Sequence, residues 1–533
     1  MDGGPFVEYF PHMRTSNSRR AALGLAWLWV ILQLSSPAFS SDLASVAGES
    51  PAERAKLDAL GTVEMDPRIA SIEIDFEFDP ARGSIREQVD LVVESAETRE
   101  LRLRIDPNLT VERSWTSQGS VEHRKAGQEV VLQLDPPISG RRKVSLTLSG
   151  RPRRGSKPLV SDQGVVLSPD DHWYPTLGPT WAVSDVRVKV PEGWVAVAPG
   201  APVAETPDGA FRFRSRKPVR GLALVAGPDL QLTSCRVVRE QARIVGPDLG
   251  ERADEICRHL ADPMSWMAGS LSPYPFDGFN LVLLPGLESR IEAGGMVVES
   301  DRFPLDGPQD AADLLAGQWF GQRIAGDGPW MRSFAAWQAA VYARDRAKPV
   351  GTDIGRLRAA YLAMSPGNDV PLARADEETP EPVLRGKGSA APDMIRLTVG
   401  DRKFFRAVQD LFRMPISPPL SLQGLQGVFE QRAGMSLERA FADWFERRGA
   451  LEIESVLRTL QTPRGEWRID LTLSQRGQPY QVPVDVVFHG LEQQHREVIS
   501  LDERQATLVY FLPFEPKRVE IDPLRRLFRR KPE

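Results

Sequence analysis

The chain has 533 residues, 41% hydrophobic and 26% charged, which excludes wholesale disorder and leaves room for three or four domains at ~100–200 residues each. Its 67 basic and 72 acidic residues give a formal net charge of −5, against the basic excess of a nucleic-acid partner. With 44 prolines and 43 glycines, turns and strands are favoured over long helical arrays.

The chain opens with Arg14, Arg19 and Arg20, then the uncharged apolar run Ala21–Leu34. Ala38-Phe39-Ser40 places small residues before Ser41. This is the pattern of a secretory signal peptide over 1–40, followed by a small, polar leader over 41–65. The run is short for a membrane-spanning helix, which needs ~20 residues. An uncleaved anchor is the alternative, and it is the one segment through which the chain is expected to enter a membrane. Met13 competes with Met1 as the start. The expected location is exported, periplasmic or extracellular. There, the two cysteines, Cys235 and Cys257, either pair or stay as buried thiols.

Over 66–230 the alternation of polar and apolar residues predicts an antiparallel β domain. Ser71–Phe78, Val89–Val93, Leu101–Ile105, Val130–Leu134 and Val144–Leu148 carry the signal, then Val186–Val190, Trp194–Ala198, Phe211–Phe213 and Leu222–Val225. A mainly helical region is expected over 231–452. It begins with a helix over Asp248–Leu271, with short strands at Asn280–Leu284 and Met296–Val298. Pro366–Pro392, rich in proline and acid, reads as a mobile loop that interrupts it. Strands return at Trp467–Leu473, Val482–Phe488, Glu497–Leu501, Thr507–Phe511 and Arg518–Ile521, a small β-sandwich over 453–525. The basic residues of 526–533 read as a solvated tail, with contact to anionic lipid as the alternative.

Several strings, in this order, resemble the aminopeptidase N family of zinc metallopeptidases, the gluzincins. They are His172-Trp173-Tyr174-Pro175 with Val186–Gly200, Leu271–Leu284, Ala293–Met296 (AGGM), Leu315–Gly321 (LAGQWFG), Lys387-Gly388 and Phe429–Gly449. The resemblance implies a multi-domain α+β chain: an N-terminal antiparallel β domain, a thermolysin-like, mainly helical peptidase domain and a C-terminal β-sandwich. It also implies Zn²⁺ held by two His on one helix and a Glu from a second, with another Glu as general base.

Those groups are missing from the matching positions. Along LAGQWFG the first His position is Asp313, the base position Leu314 and the second His position Gly317, which costs a helix ~1 kcal/mol relative to Ala. The third ligand falls on Ser333 or Ala336, depending on register. The Glu that holds the substrate amine in the family becomes Val297, and the transition-state Tyr becomes Arg385. Of six histidines, none lies between His259 and His489. Asp310, Asp313 and Asp327 read as helix-end carboxylates rather than a Ca²⁺ site, and His172, His489 and His495 as packing or strand residues.

The sequence therefore predicts no catalytic residue, no metal ligand and no cofactor, although zinc is the family's metal. The expected function is an exported pseudopeptidase that binds or scaffolds a peptide or protein. An active zinc aminopeptidase with an atypical site, or a structural envelope-assembly protein, is the alternative. Gly294, Gly295, Met296, Val297, Gln318 and Trp319 mark a vestigial peptide groove. The emptied site is expected to be filled by apolar side chains and closed by Trp319 and Trp337.

Overall fold

The computed structural model describes residues 66–530, except 156, 179, 204–208, 347–351, 415–418 and 524–525. The expected signal peptide, the leader and the last three residues of the tail lie outside the described residues. The chain is multi-domain, mostly β with a helical part.

Alternating burial builds the first section. β1 (Arg68–Asp79), β2 (Ser84–Arg104), β3 (Leu109–Thr116), β4 (Glu129–Gly150), β5 (Trp181–Lys189) and β6 (Phe211–Arg220) are the long strands of a nine-stranded sheet. They lie in the order β6–β5–β1–β2–β4–β3, antiparallel except for β1 beside β5. Val89–Val93 and Leu101–Ile105, expected as separate strands, belong to β2. The break between them is a register shift at Ser95–Thr98 rather than a turn. A smaller four-stranded sheet includes Gly164–Leu167 and Leu224–Gly227. Trp173 fills the space between, edge-on to Phe76 at 5.5 Å, its Nε1 donating to the Leu222 carbonyl.

One strand breaks the inside–outside rule. Glu87 on β2 points inward, 1% exposed, opposite Phe76 on β1 and Leu148 on β4. Neither carboxyl oxygen has a hydrogen-bond partner among the described residues.

The second section opens on a five-stranded sheet in the order β7 (Gln231–Val237), β8 (Glu240–Gly246), β9 (Phe279–Leu284), β11 (Met296–Ser300), β10 (Ile291–Ala293). Helix α1 (Arg252–Ser270) buries Ala253, Ile256, Leu260, Met264 and Met267, as the 3.6-residue period requires. A Cys235–Cys257 disulfide ties it to the edge strand β7, resolving what the sequence left open. α2 (Pro308–Trp319) and α3 (Arg332–Asp345) pack behind the sheet, buried on nearly every side.

The expected mobile loop is instead packed structure. It contains short turns, a π-helical turn over Pro382–Lys387 and the start of helix α4 (Ala391–Val399), with Leu372, Val383, Leu384 and Lys387 buried. Buried ion pairs, which sequence periodicity cannot register, hold it in place.

The third section has two small sheets. One carries β16 (Gln505–Leu512), β13 (Trp467–Gln475), β12 (Leu451–Gln461) and β18 (Arg529–Arg530) in that order. The other carries β15 (Gln494–Leu501), β14 (Val482–His489) and β17 (Arg518–Ile521). Phe488 and Tyr510 meet across them at 5.2 Å. The basic tail is not solvated over its described part. Leu527 and Phe528 are buried, and β18 pairs with β12.

Burial in an apolar core raises the Glu87 carboxyl well above its usual range, so the folded state keeps the neutral acid. The unfolded side chain ionises near ~4.3, so stability falls as pH rises above that value, by at most ~1.4 kcal/mol per unit. Glu87→Leu is expected to raise stability at neutral pH by about 1–3 kcal/mol and to remove that slope, as read from unfolding curves at mildly acidic and mildly alkaline pH.

Candidate functional site

α2 begins at Pro308 after Gly307 and presents Asp313 toward the π-helical turn. Arg385 on that turn donates through Nη2 to both Asp313 oxygens at 2.5 Å. Arg290, just before β10, adds a longer bond of 3.3 Å. Arg290 also donates through Nε to Glu299 on β11 at 2.6 Å and lies 3.7 Å from Glu292. Burial pushes the Asp313 carboxyl up, but Arg385 and Arg290 outweigh it and hold it below the usual carboxylate range. Burial works against the Arg290 charge, yet Asp313, Glu299 and Glu292 around it raise its pKa.

Gly317 is one helical turn beyond Asp313, and the Glu292 carboxylate lies against it. A Cβ built on Gly317 would sit 2.5 Å from Glu292 Oε2. A side chain at 317 therefore requires the Glu292 carboxylate to swing away from this position. Glu292 is half-buried, and burial lifts its carboxyl despite Arg290, Arg332 and Arg385 nearby. It makes no hydrogen bond among the described residues. On the sheet it pairs directly with Val297, so a carboxylate stands one strand away from the position where the sequence showed one missing.

The six residues expected to mark a groove do come together, but as interior. Gly294, Gly295, Met296, Val297, Gln318 and Trp319 are all buried. Gln318 accepts from the Gly295 N–H at 2.7 Å and donates to the Ala293 carbonyl at 3.3 Å. Trp319 donates to the Ser272 carbonyl and Trp337 to Asp393. Neither closes the site, and its filling is not mainly apolar. Carboxylates and guanidinium groups occupy it, because each buried charge there has an opposite charge within reach.

Ser333 donates to the Leu384 carbonyl, and Ala336 beside it on α3 is buried. Gly388 of the Lys-Gly string presses on α3 so closely that a Cβ would overlap the Leu384 carbonyl and Ser333 Oγ. Lys387, 1% exposed, donates to the Arg447 carbonyl at 2.8 Å and faces Asp369 at 3.4 Å. Asp369 also accepts from Tyr361 Oη and from the Gly449 N–H. Two strings far apart in sequence thus meet at Asp369. Sequence reasoning missed that residue, along with Arg290, Glu292 and Glu299. Glu292, immediately before AGGM, was the one visible signal. The Asp310, Asp313 and Asp327 set is no cluster: Asp313 is paired to arginines and Asp327 accepts from Trp330.

The chain has the fold of the M1 zinc metallopeptidases. An M1 zinc metallopeptidase from Deinococcus radiodurans superposes with a TM-score of 0.61 at 20% identity, over 72% of this chain and 94% of that one. A mutant from the same organism, bound to a Tyr-Ser-Ala substrate, gives 0.62 at 21% identity over 72% and 95%. A two-domain M1 mutant bound to L-arginine gives 0.61 at 20% identity over 72% and 95%. No family model and no curated protein matches the sequence.

Zinc, the metal of that fold family, wants His, Cys or carboxylate donors free to turn toward it. Here Asp313 is saturated by two arginines, Gly317 has no side chain, Ser333 is turned to a backbone carbonyl and Ala336 has no donor. Among the described residues, no group of three or more His, Cys, Asp or Glu is placed to hold a metal. The residues present do not fit the ion.

Asp313→Asn leaves two guanidinium groups in a nearly closed site, and about 3–5 kcal/mol of stability is expected to be lost in denaturant unfolding. Because the Asp313 pKa is depressed, its contribution is present above the unfolded value of ~3.9 and disappears only as pH falls through the folded one.

Proposed function

We propose that this chain is an exported protein that uses the M1 metallopeptidase fold to bind or scaffold a peptide or protein, and does not hydrolyse it. One observation carries the reading: the first zinc-ligand position is a carboxylate clamped by Arg385 and Arg290. A carboxylate so engaged neither binds a metal nor activates water. The disulfide supports the oxidising compartment that the signal-like N-terminus implies. Sections 66–230, 231–452 and 453–525 serve as the working domains.

The bound partner is a peptide with a free amine. Glu292 has hydrogen-bonding capacity to spare, and it stands across from Val297, where the family holds such an amine.

The deciding measurement is the metal content of the purified exported protein, together with release of amino acids from peptides. Far less than one zinc per chain and no release are expected. Stoichiometric zinc with chelator-sensitive release would overturn the reading. The variant Asp313→His, Leu314→Glu, Gly317→His, Ser333→Glu (or Ala336→Glu in the other register) is also expected to bind no stoichiometric zinc. The Glu292 carboxylate has to be displaced from residue 317, and the nearby carboxylates Glu292 and Glu299 are engaged by Arg290 rather than free to orient an imidazole.

A further inference from the structure

β12 lies at an edge that is only briefly covered. β13 pairs with it without a bulge from Ile453 to Gln461, while on the other side β18 meets only Leu451 and Glu452. From Ile453 onward the outer backbone groups of β12 have no strand partner among the described residues. Arg458, Thr459, Leu460 and Gln461 are exposed on both faces. Val456 is 53% exposed and Leu460 66%.

Natural proteins blunt such an edge with proline, lysine, a bulge or a covering segment, because an open strand templates pairing with another chain. β12 (LEIESVLRTLQ) has no proline, no lysine and no register shift. Glu454, Val456, Arg458 and Leu460 share its outer face by the two-residue period. Arg458 has no ion-pair partner among the described residues.

We propose that β12 pairs antiparallel with β12 of a second copy of this chain, joining two C-terminal sheets into one across a two-fold axis. The free stretch is bounded by β18 at one end and by the turn after Gln461 at the other. Two copies centred on Leu457 overlap from Ile453 to Gln461 and stop short of the residues β18 covers. In that register, Val456 packs on the stem of Arg458 of the second copy and Leu460 on that of Glu454. Arg458 of the second copy becomes the diagonal neighbour of Glu454, a spacing that long side chains bridge. The contact is self-complementary, as a two-fold interface must be.

The test is the solution mass of the purified full-length chain, by light scattering at several concentrations. Twice 59.2 kDa is expected. The double variant Val456→Lys, Leu460→Lys changes only exposed side chains and adds like charge to the edge. It should return the mass to that of one chain, with an unchanged circular dichroism spectrum. A wild-type monomer at every concentration would overturn the proposal, as would an assembly that survives the double substitution. If the wild type is monomeric and dimerises only after residues 1–65 are deleted, the edge belongs to the chain's own N-terminal segment and the proposal also fails.

Discussion

Two arginines on one buried aspartate organise the middle of this molecule. A carboxylate at 5% exposure is tolerable only when its charge is met at close range, and Arg385 and Arg290 meet it from two different elements. Arg385 must then sit on a turn held against α2, and Arg290 must hold the start of β10 against β11 through Glu299. The helix, the sheet edge and the segment after residue 366 are fixed relative to one another by this one requirement. In the proposed reading, the place that a metal ion would organise in an M1 enzyme is organised here by guanidinium groups. The positive charge remains, but it has no open coordination position.

That exchange explains a residue that looked like decay. Read from the sequence, Gly317 in a helix is a loss, a histidine replaced by the residue that stabilises helices least except for proline. In three dimensions it lies beneath Glu292, whose carboxylate occupies the volume a Cβ would take. The helix gives up a little intrinsic stability so that a second carboxylate can approach the arginine cluster.

Much of the fold was legible because burial follows period. β1, the β13–β17 strands and α1 fall within a few residues of where alternation or 3.6-residue spacing puts them. The strings of the resemblance proved to be contact points. Gln318 of LAGQWFG binds the backbone of AGGM, and Lys387 binds the carbonyl of Arg447, just before Arg448-Gly449. The segment 366–392 and the residues around 528 could not be read this way. Their order comes from partners distant in sequence, such as Asp313 for Arg385, the Arg447 carbonyl for Lys387 and Tyr361 for Phe528. A proline- and acid-rich composition describes a loop equally well whether or not such partners exist. In the sequence the site read as a set of absences; Asp313 and Arg385 were visible at motif positions, but Arg290, Glu292 and Glu299 lie on or beside strands no motif covers.

The seating of residues 526–530 has a consequence for how the chain matures. Phe528 packs on Tyr361 at 5.5 Å, Arg530 donates to the Met364 carbonyl, and β18 joins the sheet at Leu451 and Glu452. Translation delivers the helical section well before these residues emerge, and domains ordinarily fold as they appear. Here Tyr361 and the Met364 carbonyl lack these partners until residues 528–530 have been made. The helical section therefore completes its packing only with residues 526–530 in place, and a product truncated before them would leave Tyr361 without its Phe528 cover.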